Sequence, residues 1–95
     1  MNKRMVMLFK ALGCGWRLKI LEHLSKGTMC ICELDDLYSI DKTTLSRHVK
    51  ALVDTGLVKE NKNGTRKELS IADRRVLEIL ELAKAITDVS LQELE

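Results

Sequence analysis

The sequence contains no proline, few aromatic residues and no apolar run long enough to span a membrane. A span needs about 20 apolar residues, so we expect no membrane domain, and no signal peptide is evident. Since only Phe9, Trp16 and Tyr38 are aromatic, the core has to be aliphatic. Leu and Ile recur every three to four residues with no proline to interrupt them, which predicts a mostly helical fold.

The net charge is also small. The 95 residues carry a formal charge of only +2, which excludes a protein with a polybasic tail. The charge is unevenly placed: residues 41–75 hold nine Lys or Arg and five Asp or Glu, a net +4 that leaves −2 elsewhere. A basic middle in a near-neutral chain indicates a local anion-binding face. Three cysteines, an odd number, indicate a reducing cytoplasm in which thiols are used as such.

Apolar spacing predicts three short helices in the first half of a single domain, residues 1–95. In the third of them we expect Leu34 and Leu37 to face the core. The three helices run over about 3–12, 16–25 and 31–38.

A fourth helix, predicted over about 42–55, has two different faces. Asp41 is a good N-cap before it, and Leu45, Val49 and Leu52 form an apolar stripe for the core. The opposite face suits a nucleic-acid groove, because cations neutralise phosphate while hydroxyls and a guanidinium reach base edges. The competing interpretation is that this face is an ordinary solvated surface. The residues of the face opposite the apolar stripe are Thr43, Ser46, Arg47 and Lys50.

Gly56 is predicted to end this helix as a left-handed cap. After it, apolar residues recur at every second position instead of every third or fourth, which predicts a β-hairpin over residues 57–71. The pair Asn63 and Gly64, the strongest short hairpin signal, lies between its strands. The hairpin resembles a wing that straddles a phosphate backbone, and an ordinary solvated hairpin is the alternative. The cations near its tip are Lys62, Arg66 and Lys67.

The last predicted helix, about 73–94, is apolar on two sides and therefore needs two partners. One partner is the core, and we expect the other to be the first or last helix of a second subunit. A symmetric homodimer places two basic helices side by side on a pseudo-palindromic DNA site. The core face consists of Val76, Ile79, Leu80 and Ala83, and the second face of Leu82, Ile86 and Val89.

Two short helices joined by a tight turn, the second polar on one face, form a helix-turn-helix. With the hairpin, the predicted fold class is a winged helix-turn-helix that is mostly α with a small β wing. Three stretches resemble the ArsR/SmtB family of winged-helix, metal-sensing repressors. Residues 11–21 resemble the family's opening ALADPTRLRIL, residues 29–34 its metal box LCVCDL, and residues 44–58 its stretch TVSRHLKVL…AGLV.

This resemblance implies a homodimeric repressor that sits on an operator in double-stranded DNA and leaves it when a metal ion binds. It implies that the wing cations meet phosphate or the minor groove. The family's second metal site, between the last helices of the dimer, uses carboxylate and His ligands. No His follows position 48, so we expect that site to be absent. By position, the residues facing the major groove are Lys42, Thr43, Thr44, Ser46, Arg47 and His48.

Cys30 and Cys32 predict a metal site on chemical grounds. Residues i and i+2 of an extended segment point the same way, and the start of a helix favours the thiolate. Two convergent thiolates chelate a soft regulatory ion such as As(III), Cd(II), Pb(II), Zn(II) or Cu(I). Packing at a helix junction and sensing of oxidation are the competing interpretations.

A third ligand for a trigonal ion is not evident. The arsenic-responsive branch of the family has a third Cys where this sequence has Asp35, and the cadmium and lead branch adds Cys from an N-terminal arm that is free of Cys here. Cys14 is the remaining thiol, but a helix of roughly 15 Å separates it from Cys30 of the same chain. An exogenous thiol, a carboxylate and Cys14 of the partner subunit remain as alternatives.

An enzyme is not expected, because no base is evidently paired with a nucleophile, no phosphate-binding glycine loop is present and the domain has little room for a pocket. Two other functions stay open beside the metal-responsive repressor. One is a winged-helix repressor that senses thiol oxidation or no ligand, and the other is a winged helix used for protein interaction. The retained cations of the basic helix argue against the latter.

Overall fold

A computed structural model describes the backbone of residues 2–94 and the side chains of residues 2–88. It is a mostly helical winged helix-turn-helix with an antiparallel sheet of strand order β1-β3-β2, which confirms the predicted fold class. No helix in this part of the chain has the length and apolarity needed to cross a membrane. The elements are α1 (Lys3–Leu12), α2 (Gly15–Leu24), β1 (Met29–Cys30), α3 (Ile31–Leu37), α4 (Lys42–Asp54), β2 (Val58–Asn63), β3 (Arg66–Ile71) and α5 (Arg75–Leu94).

Aliphatic side chains from all five of these helices and from the sheet form the core. The apolar stripe of α4 is part of it, so the opposite face of α4 points to solvent. The side chains with the least exposure are Ile20, Leu21, Leu24, Leu34, Leu45, Leu52 and Leu69.

A left-handed glycine closes the C-terminus of α4. Gly56 has a φ of +79°, and its N–H donates to the carbonyl of Val53 at 3.0 Å. The N–H of Leu57 donates to the carbonyl of Leu52, also at 3.0 Å. These two bonds form a Schellman motif, which turns the chain directly from α4 into the wing.

The buried face of α3 differs from the predicted one. Leu34 is fully buried, but Leu37 is 58% exposed, so the prediction that Leu37 faces the core is wrong. The inward row follows a spacing of four and runs through Cys30, Leu34 and Tyr38, which are all buried. Tyr38 takes the inward place, where its hydroxyl shares a hydrogen bond with His23 and burial raises its pKa to about 12.

The wing hairpin lies where it was predicted, but its turn is shifted by one residue. Asn63 is the last residue of β2 and pairs with Arg66 of β3, so the loop consists of Gly64 and Thr65. Gly64 has a φ of +65° and Thr65 does not have a positive φ, as in a type II′ turn. The Asn-Gly pair therefore located the hairpin without fixing its register.

Among the described side chains of α5, which end at Asp88, only those before Glu81 pack on the core. Val76 is buried, and Ile79 and Leu80 are partly buried against it. Ala83, which was expected on the same face, is exposed, because every side chain from Glu81 to Asp88 lies beyond the core.

Large apolar side chains on the outer sides of α1 and α5 are exposed in the single chain. Leu82 and Ile86 are 67% and 66% exposed, in agreement with a second apolar face on α5. Val89, the third residue of that predicted face, lies outside the described side chains. The exposed apolar residues of α1 are Met5, Met7 and Phe9.

Candidate nucleic-acid interface and thiol site

Helix α4 presents its predicted polar face to solvent. Thr43, Ser46, Arg47 and Lys50 are all exposed. The Nζ atom of Lys50 lies 3.3 Å from Oδ2 of Asp54 one turn later, so its charge is partly neutralised. Among the described side chains, Arg47 forms no ion pair. Its guanidinium is therefore the most available cation on this face.

The first turn of α4 divides its residues between solvent and the helix cap. Lys42 lies 3.9 Å from the carboxylate of Asp35, yet its side chain stays 87% exposed. Thr44 donates its N–H to Asp41 at 2.8 Å and its hydroxyl to the same carboxylate at 3.0 Å. These bonds lower the pKa of Asp41. Lys42 thus belongs to the open face, whereas the hydroxyl of Thr44 is occupied in the cap.

His48 lies at the edge of the face that was predicted to read DNA. Its Nδ1 atom is 3.9 Å from Sγ of Cys14, the residue that precedes α2. Partial burial, helped by the charge of Arg17, lowers the pKa of His48. Both causes disfavour the charged form of the imidazole. Cys14 lies with His48 between α2 and α4.

The three wing cations differ in their partners. Arg66 lies 3.2 Å from the carboxylate of Glu33 in α3, and Lys67 lies 3.8 Å from that of Glu60 on the neighbouring strand. Lys62 is exposed and stands directly opposite Lys67 in the hairpin register. Like charges placed opposite one another on a hairpin repel and destabilise it. An anion bound between Lys62 and Lys67 would remove this repulsion, so the pair favours an anion-binding wing.

The two cysteines of the predicted metal box lie at a junction between a strand and a helix. Cys30 is the last residue of β1 and the N-cap of α3, and it is 2% exposed. Cys32 belongs to α3 and is exposed. The prediction that both cysteines lie in one extended segment is thus wrong for Cys32. The two side chains converge because the chain turns from strand into helix between them.

The two sulfur atoms meet at this junction. The Cα atoms of Cys30 and Cys32 lie 5.1 Å apart and their sulfur atoms are in contact, and Sγ of Cys30 also accepts the N–H of Cys32 at 3.2 Å. This contact suits a disulfide in the oxidised protein as well as the free thiols expected from the sequence. The same convergence of two sulfurs suits a soft ion when both thiols are reduced.

Glu33 is a residue of this site that the sequence reasoning did not single out. Its Oε1 accepts the N–H of Cys30 at 3.0 Å and completes a capping box with that residue. The same Oε1 accepts a bond from Nη2 of Arg66 at 3.2 Å. A Glu three residues after an N-cap is the sequence signal of a capping box and is present here.

A shallow cleft between α3 and α4 adjoins the thiols. Cys32 and Asp35 line it from α3, and Lys42 and Ser46 line it from α4. In the part of the chain that the structure describes, no three Cys, His, Asp or Glu side chains are gathered closely enough to hold an ion.

Comparison with known proteins gives consistent results. The family described as "Bacterial regulatory protein, arsR family" matches residues 15–60. An uncharacterized HTH-type transcriptional regulator of Methanocaldococcus jannaschii is 41% identical over 76 residues, which are 79% of this chain and 85% of that protein. The arsenical resistance operon repressor of Staphylococcus xylosus is 41% identical over 64 residues, 67% of this chain but only 62% of the repressor.

A solved structure with the same fold comes from Mycobacterium bovis. It is described as the homodimeric winged helix-turn-helix DNA-binding domain of a possible ArsR-family transcriptional regulator. It aligns with a TM-score of 0.80 at 30% identity and covers 90% of this chain and 79% of that one. All three of these similar proteins are described as regulators of transcription and none as an enzyme.

Proposed function

Because the chain belongs to the arsR family of regulatory proteins, we propose that it is a homodimeric cytoplasmic repressor that a soft metal or metalloid ion releases from its DNA operator. The observation that carries this proposal is the position of the thiol pair. Cys30 pairs with Glu68 of the wing strand β3, and Cys32 shares a cleft with Lys42 and Ser46 of α4. The sulfurs thus adjoin both elements that present cations to DNA.

On DNA, α4 lies in the major groove of each half-site and the wing lies against the backbone. The exposed cations neutralise phosphate, which supplies most of the affinity. Arg47 and the hydroxyls of Thr43 and Ser46 are placed to reach base edges. Lys62 and Lys67, which face each other across the hairpin, receive a phosphate between them.

The regulatory ion binds the reduced Cys30 and Cys32 and acts through linkage. It weakens DNA binding only by the difference between its affinities for the free and the DNA-bound dimer. The arsenical-resistance relative makes As(III) the first ion to test. Cd(II), Zn(II) and Pb(II), which thiolates also bind, are the next candidates.

The test is fluorescence anisotropy of the fully reduced protein on DNA from upstream of its own gene, titrated with As(III) and then with Cd(II). We expect release, with an affinity loss in the range of about 5- to 150-fold that is typical of allosteric coupling. DNA binding that stays unchanged while the ion is shown to occupy the thiols contradicts the proposal.

The homodimer is proposed to form through the outer sides of α1 and α5. Replacing Leu82 and Ile86 with Glu is expected to give a monomer, because both side chains are largely exposed in the single chain and a dimer buries them in an apolar seam. Sedimentation velocity measures the change. Leu37→Glu is the matched control, since Leu37 is also exposed but lies on α3, and it leaves the dimer intact. A dimer that survives both Glu substitutions places the seam elsewhere.

The contact between the sulfur atoms of Cys30 and Cys32 favours a second candidate function, in which oxidation of the pair is the signal. The pair then forms a disulfide when an oxidant accepts two electrons and two protons from the thiols. Anisotropy of the reduced and the oxidised protein on the same DNA separates the candidates. Equal affinity of the two forms excludes the redox function, whereas release on oxidation alone, with no effect of any ion, favours it.

A further inference from the structure

We infer that Glu33 is a positioning residue that couples the state of the Cys30–Cys32 pair to the wing cation Arg66, an inference that rests on the proposed function. One oxygen, Oε1 of Glu33, accepts the N–H of Cys30 at 3.0 Å and a bond from Nη2 of Arg66 at 3.2 Å. This single carboxylate therefore bridges the thiol segment and one of the three cations near the tip of the wing.

The bridge responds to the sulfurs because it is one half of a reciprocal cap. Sγ of Cys30 accepts the N–H of Cys32 at the start of α3, and Glu33 returns a bond to the N–H of Cys30. In a capping box the two bonds support each other. In the structure the two sulfur atoms are in contact and Glu33 holds Arg66. An ion that bridges the two sulfurs keeps this arrangement, whereas ion-free thiols separate, move Cys30 and loosen the hold of Glu33 on Arg66.

The ion pair between Glu33 and Arg66 affects DNA binding more than stability. Both side chains are about half exposed, at 49% and 53%, and exposed pairs contribute little to folding. A guanidinium held by a carboxylate is, however, less available to phosphate than a free one. Glu33 thus sets how much of the charge of Arg66 reaches the DNA, and the thiol pair sets the position of Glu33.

Glu33→Gln tests this coupling without removing the cap, because Gln also serves at this position of a capping box. The substitution deletes the negative charge, so Arg66 is free in both states of the thiols. We expect tighter DNA binding with the ion bound and little change without it. We also expect the ratio of DNA affinities without and with the ion to fall by about 3- to 10-fold, in the range known for coupling mutations.

Glu60→Gln is the matched control. Glu60 pairs with Lys67 at 3.8 Å, so this variant makes the same charge change beside another cation of the same wing. Glu60 forms no hydrogen bond to the described thiol segment. It is expected to raise DNA affinity while leaving the ratio at the wild-type value. Arg66→Ala is expected to lower the ratio as Glu33→Gln does, and the double variant Glu33→Gln/Arg66→Ala to lower it no further.

The outcomes separate the inference from the proposed function. If the ion releases the wild-type protein and both Gln variants keep the wild-type ratio, the coupling through Glu33 is wrong and the repressor function stands. If no ion releases the wild-type protein, the repressor function fails, and the equilibrium between the reduced and the oxidised Cys30–Cys32 pair, measured in redox buffers with and without DNA, then decides about Glu33. By reciprocity, DNA shifts this equilibrium in the wild type and in Glu60→Gln, and less in Glu33→Gln. Equal changes in all three overturn the inference.

Discussion

Replacing both Arg47 and Lys50 with alanine is expected to weaken operator binding by about a hundredfold or more. A bidentate contact between arginine and guanine is worth about 1–3 kcal/mol, and a symmetric dimer loses such a contact in each half-site. Arg47 is exposed on the side of α4 opposite the buried Leu45, Val49 and Leu52, so its loss leaves the core untouched. Anisotropy on operator DNA at one fixed salt concentration measures the effect.

Lys19→Ala/Lys26→Ala is the matched control for this variant. It removes the same number of positive charges from α2 and the turn after it, and none from α4 or the wing. Sedimentation velocity and circular dichroism should show an intact, folded dimer for both double variants. If the Arg47/Lys50 variant binds DNA as tightly as the wild type, α4 does not read DNA, and the interaction-module alternative becomes the better explanation.

The two side chains are not expected to contribute equally. Lys50 is paired with Asp54 at 3.3 Å, whereas Arg47 has no ion-pair partner among the described side chains. A cation already neutralised by the protein gains less from phosphate, and the salt dependence of binding falls by about one counterion for each phosphate contact removed. The single variant Arg47→Ala should therefore account for most of the loss.

Features that depend on local sequence were predictable here. The helix predicted over 42–55 is observed as α4, Lys42–Asp54, because Asp41 marks its start, Gly56 its end and a regular apolar stripe its inner face. Each of these signals lies within a few residues of what it determines. The function of the exposed face stays a prediction, because periodicity alone leaves it open between a solvated surface and a DNA-reading one, and the family resemblance favours the latter.

Features that depend on tertiary contact were not predictable in the same way. The salt bridge of Arg66 with Glu33 spans 33 residues, and the contact of His48 with Cys14 spans 34. Neither pair has a spacing signal in the sequence. Tyr38, and not Leu37, is buried at the end of α3. That helix is only seven residues long, so a three-residue and a four-residue spacing fit its sequence equally well, and the sequence did not decide between Leu37 and Tyr38.

Replacing Cys30 and Cys32 with serine is expected to abolish the response to As(III) and Cd(II) while preserving DNA binding. Serine is among the best N-cap residues, so its hydroxyl can replace Sγ of Cys30, which caps α3 by accepting the N–H of Cys32 at 3.2 Å. A hydroxyl is, however, a poor ligand for soft ions. The fold is therefore kept and the ion site is lost.

In the anisotropy titration, the affinity loss that the ion causes in the wild type should shrink to about twofold or less in the serine variant, since an ion without differential affinity shifts no equilibrium. Cys14→Ser is the matched control, because it removes one thiol that lies beside His48 rather than in the box. If Cys14→Ser abolishes release while the Cys30/Cys32 variant retains it, the sensing thiol lies between α2 and α4, and the disulfide-forming pair then serves packing or redox chemistry.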